Sequence, residues 1–215
     1  MITVHHLENS RSQRVLWLLE ELGLPYAVVR YKRDKSTMFA PPELRAIHPL
    51  GKSPVIVDDE TEAGASRTVA ETGAIIEYIV EKAGGRFGPP AGGQGTLNYR
   101  YFMHYAEGSL MPPLLIKLVL GKIPIVGKTA QARIQPMIDV HLDFVEAELS
   151  SRPWFAGDEF TAADVIMSFP LEAARDRGGL DESRPATIDW LAKIHARPAY
   201  RSALATGGPY AYMKA

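Results

Sequence analysis

Leu50-Gly51-Lys52-Ser53-Pro54-Val55-Ile56-Val57 and, one hairpin later, Val69-Ala70-Glu71-Thr72-Gly73-Ala74-Ile75-Ile76-Glu77-Tyr78-Ile79 decide how this chain is read. The first stretch puts a proline at the mouth of an apolar β run. The second puts a Glu-Thr pair where a strand gives way to a helix. Extended backbone offers strand-type hydrogen bonds, and a helix start offers free N–H groups to a carboxylate, so together they suit capture of a small peptide-like anion.

Working outward, residues 2–7 read as a strand and 12–22 as a helix, with Val15, Leu16, Leu18, Leu19 and Leu22 at helical spacing and Gly23 closing it. Residues 26–31 read as a second strand, which a right-handed crossover would set parallel to the first. A short helix around Glu43-Leu44 follows. Residues 55–57 and 67–69 form a hairpin whose loop is longer than a tight turn needs, and helical spacing resumes over 72–82 through Ile75, Ile76 and Ile79. The run Gly84-Gly85-Arg86-Phe87-Gly88-Pro89-Pro90-Ala91-Gly92-Gly93 marks a linker. Beyond it come helical patterns near 96–119, 128–150, 161–176, 184–196 and 198–205, with no strand among them. The expected domains are 1–83, a linker at 84–93, and a helical bundle at 94–215.

The 215 residues carry 24 Lys and Arg against 25 Asp and Glu, so no broad basic surface recruits nucleic acid. Cysteine is absent. A protein thiol nucleophile, disulfides and thiolate metal sites are excluded, and any sulfur chemistry must arrive with a ligand. His5 and His6 face opposite sides of a strand, and no cluster with ligand spacing completes a metal site. No signal peptide and no apolar run of about 20 residues is present, so the expectation is a cytoplasmic protein without a membrane partner.

An α/β half of order β-α-β-α-β-β-α, followed by an all-helical half, resembles the cytosolic glutathione transferase family over essentially the whole chain. Gly51-Lys52-Ser53-Pro54-Val55 is similar to that family's cis-proline segment. Glu71-Thr72 is similar to its pair for the γ-glutamyl end of glutathione. Pro153-Trp154-Phe155-Ala156-Gly157, leading to Phe160-Thr161-Ala162-Ala163-Asp164, resembles its buried capping box. Asn9-Ser10-Arg11-Ser12-Gln13-Arg14 looks most like the serine-type bacterial and fungal branches. The resemblance implies a thioredoxin-like N-terminal domain, glutathione as co-substrate without a metal, a homodimer, a hydrophobic electrophile as second substrate and a role in detoxification. Peroxide reduction is a second activity it implies. The alternatives are a glutathione-dependent isomerase or lyase and a non-catalytic glutathione-binding or regulatory protein.

On that reading a cis bond before Pro54 exposes the main chain of Ser53 to the cysteinyl backbone of the tripeptide; a trans proline at a strand start is the alternative. Thr72 and the N–H groups of Glu71 and Thr72 would meet a carboxylate, or Thr72 would simply cap the helix. The Glu71 carboxylate would meet the ligand amine. Lys52 is expected on the glycyl carboxylate, with His48 and Lys35 in reserve. Ser10 is the expected hydrogen-bond donor to the thiolate, with Asn9 and Arg11 as neighbours able to take the role; Ser10 or Ser12 as a helix cap is the competing reading. Tyr101, His104, Tyr105 and Gly108 share a helical face, and with Met111 and Tyr210 they make up the expected electrophile pocket. The loop 121–128 is read as framing the pocket's entrance. Thr161 and Asp164 serve folding, not catalysis.

Overall fold

The computed structural model describes residues 1–61 and 64–213. The middle of the expected hairpin loop, residues 62 and 63, and residues 214 and 215 of the helical half lie outside them.

The chain divides into two compact units, Met1–Gly88 with Ala196–Ala215, and Pro89–His195. The first unit holds β1 (Ile2–Leu7), α1 (Ser12–Leu22), β2 (Tyr26–Tyr31), α2 (Glu43–Ile47), β3 (Val55–Asp58), β4 (Arg67–Ala70) and α3 (Thr72–Lys82). The sheet runs β2-β1-β3-β4, with β1 and β2 parallel and the other pairings antiparallel. This is the thioredoxin-like arrangement expected. Gly23, at φ 64°, ends α1 by returning its N–H to Glu20 and that of Leu24 to Leu19.

The last helix, α9 (Pro198–Gly207), packs with the first unit, whereas the spacing pattern assigned 198–215 to the bundle. Side chains of α1 explain this. Trp17 meets Tyr200 edge to face at 5.2 Å, and Arg197 pairs with Glu21 at 2.5 Å. A Cβ at Gly207 would sit 2.8 Å from the Gln13 side chain, so the end of α9 lies directly on α1. A helical pattern reveals an apolar face, but not which neighbour will cover it.

The second unit is helical: α4 (Gly93–Tyr105), α5 (Met111–Leu120), α6 (Gly127–Ser151), α7 (Ala162–Ala173) and α8 (Pro185–His195). The expected single helix over 96–119 is broken by a π-helical turn at 106–110. Pro112 and Pro113 have no N–H to return to Gly108 and Ser109, and a widened turn is the usual answer to such a gap. Every residue of α7 is buried, and Phe102, Phe155 and Trp190 pack in the same core.

Thr161 and Asp164 form the anticipated capping box. Thr161 Oγ1 accepts from the Ala163 N–H at 3.3 Å, and Asp164 Oδ2 accepts from the Thr161 N–H at 2.9 Å. The other Asp164 oxygen accepts from Phe155 N–H and Trp190 Nε1–H. Burial pushes the Asp164 carboxyl up to about 6, against the pull of these three donors and of the Thr161 hydroxyl, which donates to Oδ2.

Candidate active site

The strand register brings the sequence motifs to one end of the sheet. His5 pairs with Val55 and Val55 with Ala70, so the exit of β1, the entry of β3 and the exit of β4 lie side by side. Asn9 to Arg11, Ser53-Pro54 and Glu71-Thr72 are the residues that extend from those three points.

The Ser53-Pro54 peptide is cis. Where the ladder between β1 and β3 would continue, the Ser53 hydroxyl takes over, donating to the His5 carbonyl at 2.8 Å and accepting from the Leu7 N–H at 3.2 Å. The strand end is thus satisfied by a side chain. The main-chain N–H and C=O of Ser53 make no hydrogen bond among the described residues, and remain open to an extended ligand backbone. The preceding turn closes through Gly51 N–H to His48 C=O at 2.8 Å. Gly51 has φ 57°, and a Cβ there would stand 2.6 Å from Arg45 Cγ, so only glycine fits. His48 is spent on this turn, its Nδ1 accepting from Leu50 N–H, while Lys52 is exposed and has no ion pair among the described residues.

Across the edge, α3 begins in an unusual way. Its N-cap is Glu71, not Thr72, at φ 71° and ψ 125°, with no side-chain cap. This backbone region is unfavourable for any residue with a Cβ. The Glu71 carbonyl receives Ile75 N–H at 2.9 Å, which leaves Thr72, Gly73 and Ala74 N–H without partners among the described residues. Thr72 is only 5% exposed, yet its hydroxyl makes no hydrogen bond among the described residues. The capping role open to Thr72 in the sequence is therefore not what it does.

The turn after β1 is more heavily bonded. Ser10 is 4% exposed; its Oγ lies 2.7 Å from Ser12 Oγ and accepts from Ser12 N–H at 3.2 Å. Ser12 Oγ in turn lies 2.9 Å from Nδ1 of buried His6, whose pKa is pushed down to about 4 by burial and then by Arg30. If Ser12 donates to His6, Ser10 must donate to Ser12 and has no proton for a ligand. If His6 Nδ1–H donates, the Ser10 proton is released. Asn9 is placed differently: its Oδ1 accepts from Ala211 N–H at 2.7 Å, which fixes the amide so that both Nδ2 hydrogens remain available. Asn9 has φ 50°, and its carbonyl is held by Arg33 Nη2 at 3.3 Å. Arg11 stands at the N-cap of α1 without a side-chain cap.

Arg33 escaped the sequence reading. It also donates to Met38 C=O, and its backbone N–H donates to the Glu8 carboxylate, bracing the turn that carries Asn9. No spacing rule marks a cation that acts across a loop.

The expected electrophile residues do not stand together. Tyr101, His104 and Tyr105 line a groove of about 610 Å³ along α4 with Leu97, Asn98 and Ser109. Tyr101 and Tyr105 stack at 5.4 Å, and the Tyr105 hydroxyl lies 2.7 Å from His141 Nδ1, a partner on α6 that no spacing rule singles out. Burial raises the pKa of Tyr105 and lowers that of His141, so both are neutral, and the imidazole tautomer sets which of them donates. Met111 is a correction: it is buried in the core at the start of α5, facing away from solvent. Tyr210 belongs to the first unit, packed on Tyr212 beside the Ala211 bond to Asn9.

A thioredoxin-like sheet whose interior strand β3 is entered through a cis-proline, beside a helix start whose donors are unspent, presents open main-chain groups of the kind a peptide anion can pair with. Residues 1–81 match the family described as Glutathione S-transferase, N-terminal domain, and residues 110–198 match Glutathione S-transferase, C-terminal domain. The chain is 36% identical to Glutathione S-transferase 1 of Saccharomyces cerevisiae, over 93% of this chain and 92% of that protein. A glutathione S-transferase structure from Actinobacillus pleuropneumoniae superposes with a TM-score of 0.85 at 32% identity, covering 99% of this chain and 95% of the other. A Pseudomonas fluorescens family member, described with two glutathione bound, has a TM-score of 0.81 at 23% identity, covering 94% and 92%, and shares the fold. The chain belongs to the glutathione S-transferase family.

Proposed function

We propose that the protein binds glutathione at the end of the sheet where β1, β3 and β4 lie side by side and transfers its thiolate to hydrophobic electrophiles. The observation that carries this reading is the uncapped start of α3, where three open N–H groups and the Thr72 hydroxyl lie beside the free main chain of Ser53. The γ-glutamyl carboxylate is assigned to Thr72 and the α3 N–H groups, the ligand amine to Glu71, the cysteinyl backbone to Ser53 and the glycyl carboxylate to Lys52.

A free thiol with a pKa near 8.5 is only a few per cent ionised at neutral pH, so stabilising the thiolate gains about thirtyfold at most. The remainder comes from holding the electrophile against sulfur. In the reaction the sulfur lone pair forms the new C–S bond and the leaving group departs with the bonding pair. Asn9 Nδ2 is the donor whose hydrogens the fold leaves unspent; Ser10 takes the role only with His6 as the Nδ1–H tautomer. With an aryl halide, Asn9→Ala is expected to lower kcat up to about thirtyfold with unchanged glutathione affinity. Unchanged turnover in Asn9→Ala together with a loss in Ser10→Ala would move the donor to Ser10. Absence of glutathione binding by calorimetry would end the whole reading.

Exposed Leu97 and Tyr101 on α4 and Met137 and Val140 on α6 support a homodimer closed over this strip. Tyr101→Asp then gives monomers by sedimentation. If the groove takes the electrophile instead, Tyr101→Ala raises the electrophile KM at constant mass. The reading locates the protein in the cytoplasm, where glutathione is abundant.

A further inference from the structure

The hairpin joining α5 to α6 is chemically unlike the rest of the chain. From residue 108 to residue 138 there is no Asp or Glu, while Lys117, Lys122, Lys128 and Arg133 supply four cations in a chain whose overall charge is −1. The α5 sequence Met111-Pro112-Pro113-Leu114-Leu115-Ile116-Lys117-Leu118-Val119-Leu120 has a single polar side chain, and its outward face is apolar too. Leu115, Ile116, Leu118 and Val119 are exposed, as are Ile123, Ile125 and Val126 in the turn, with Ile125 99% exposed. Helices apolar all round belong in a core or a membrane.

The backbone of the turn is fixed by its own bonds: Lys122 N–H to Val119, Ile123 N–H to Leu120, Val126 N–H to Pro124 and Ala130 N–H to Val126. A Cβ at Gly127 would stand 2.4 Å from the Leu120 carbonyl, so the two helix ends touch. Ile125 has φ 67°, where a β-branched residue is a true outlier. The fold thus holds an isoleucine in an unfavourable conformation at the point of greatest exposure.

We propose that this hairpin tip is a docking surface for an anionic lipid bilayer, its aliphatic side chains entering the headgroup and acyl boundary and Lys122, Lys128 and Arg133 meeting lipid phosphates. The three cations are exposed and make no ion pair among the described residues. Lys117 is instead held by Gln135. A protein partner is the poorer fit, because protein interfaces concentrate aromatic residues and disfavour lysine, and no aromatic residue occurs between Tyr105 and Phe144. Clustered cations beside exposed aliphatic groups are what an anionic surface binds. No helix among the described residues is long and apolar enough to cross a membrane, and surface docking needs none. The proposal stands apart from glutathione binding.

The test is flotation of the full chain with vesicles of phosphatidylcholine alone and with phosphatidylglycerol added. Binding is expected only with the anionic lipid, and it should weaken as salt is raised. Ile125→Asn with Val126→Asp should lower partitioning by more than about tenfold without loss of fold, because Asn tolerates left-handed backbone and Asp is favoured at the N-cap that Val126 occupies. Lys122→Gln and Lys128→Gln should each cost about fivefold. Failure of the folded protein to float, flotation unchanged in the tip and lysine variants, or conversion of a dimer to a monomer by the tip variant would each overturn the proposal, the last by giving the tip to a second copy.

Discussion

Two helices of this molecule start with a threonine and an acid, and they use them in opposite ways. At α7, the side chains of Thr161 and Asp164 accept from the N–H groups of Phe155, Thr161 and Ala163 and from the Trp190 indole, and the start is buried. At α3, neither the Glu71 nor the Thr72 side chain caps the helix; the backbone is strained at φ 71°, and three N–H groups stay open. The difference separates folding from function. A satisfied helix start holds a core together, while an unsatisfied one at the end of a sheet keeps its binding capacity for something that is not part of the chain.

The largest expected effect breaks the satisfied start. Asp164→Ala strands the N–H groups of Phe155 and Thr161 and the indole of Trp190 in a fully buried site, which should cost roughly 3–5 kcal/mol and lower Tm by on the order of 10 °C. Glutathione affinity should be unchanged. Normal melting with lost binding would reverse the roles given to the two starts.

The pH dependence of the same residue sharpens the contrast. The carboxyl of Asp164 rises from 3.8 to about 6 on folding, so the native state holds the proton more tightly than the unfolded one. Its stabilising effect is complete below about pH 4 and is lost as pH rises through 6, by roughly 2–3 kcal/mol in all. Buried His6 works in the reverse sense, losing stability as pH falls from 6.5 towards 4, so the difference between wild type and Asp164→Asn isolates the aspartate. Denaturant melts from pH 4 to 7 should show wild type declining relative to the variant.

At the open start the effects are smaller and fall on ligand. Thr72→Val should raise the glutathione Kd about tenfold, roughly 1.4 kcal/mol, with Tm hardly moved. The smallest change is expected from Glu71→Gly, which should stabilise the protein by about 1 kcal/mol by relieving the positive φ. It should also weaken glutathione severalfold through the lost carboxylate. Destabilisation by that substitution would mean that the strain has been misread.

Much of this was legible in the sequence because the signals were local. Strand and helix periods located β1 to β4 and α1 to α3, and Thr-Ala-Ala-Asp announced its own capping box. Pro54 and Thr72 were found because a proline before a strand and a hydroxyl at a helix start have few uses. What stayed hidden was nonlocal. Whether Thr72 or Glu71 is the cap depends on one backbone angle. The coupling of Ser10 to Ser12 and His6, the Arg33 brace on Asn9 and the Ala211 bond to the Asn9 amide all join residues that no spacing rule connects. Met111 continued the spacing of the expected pocket residues, but the π turn at 106–110 interrupts that spacing, and Met111 is buried.

The amide resonances of Ser53, Thr72 and Gly73 during a glutathione titration, followed by NMR with Phe155 and Thr161 as internal controls, test the two-start account most directly. Large, saturable shifts are expected at the first three and none at the controls. Silent Thr72 and Gly73 amides at saturating glutathione would show that the open start of α3 is not where the tripeptide is held.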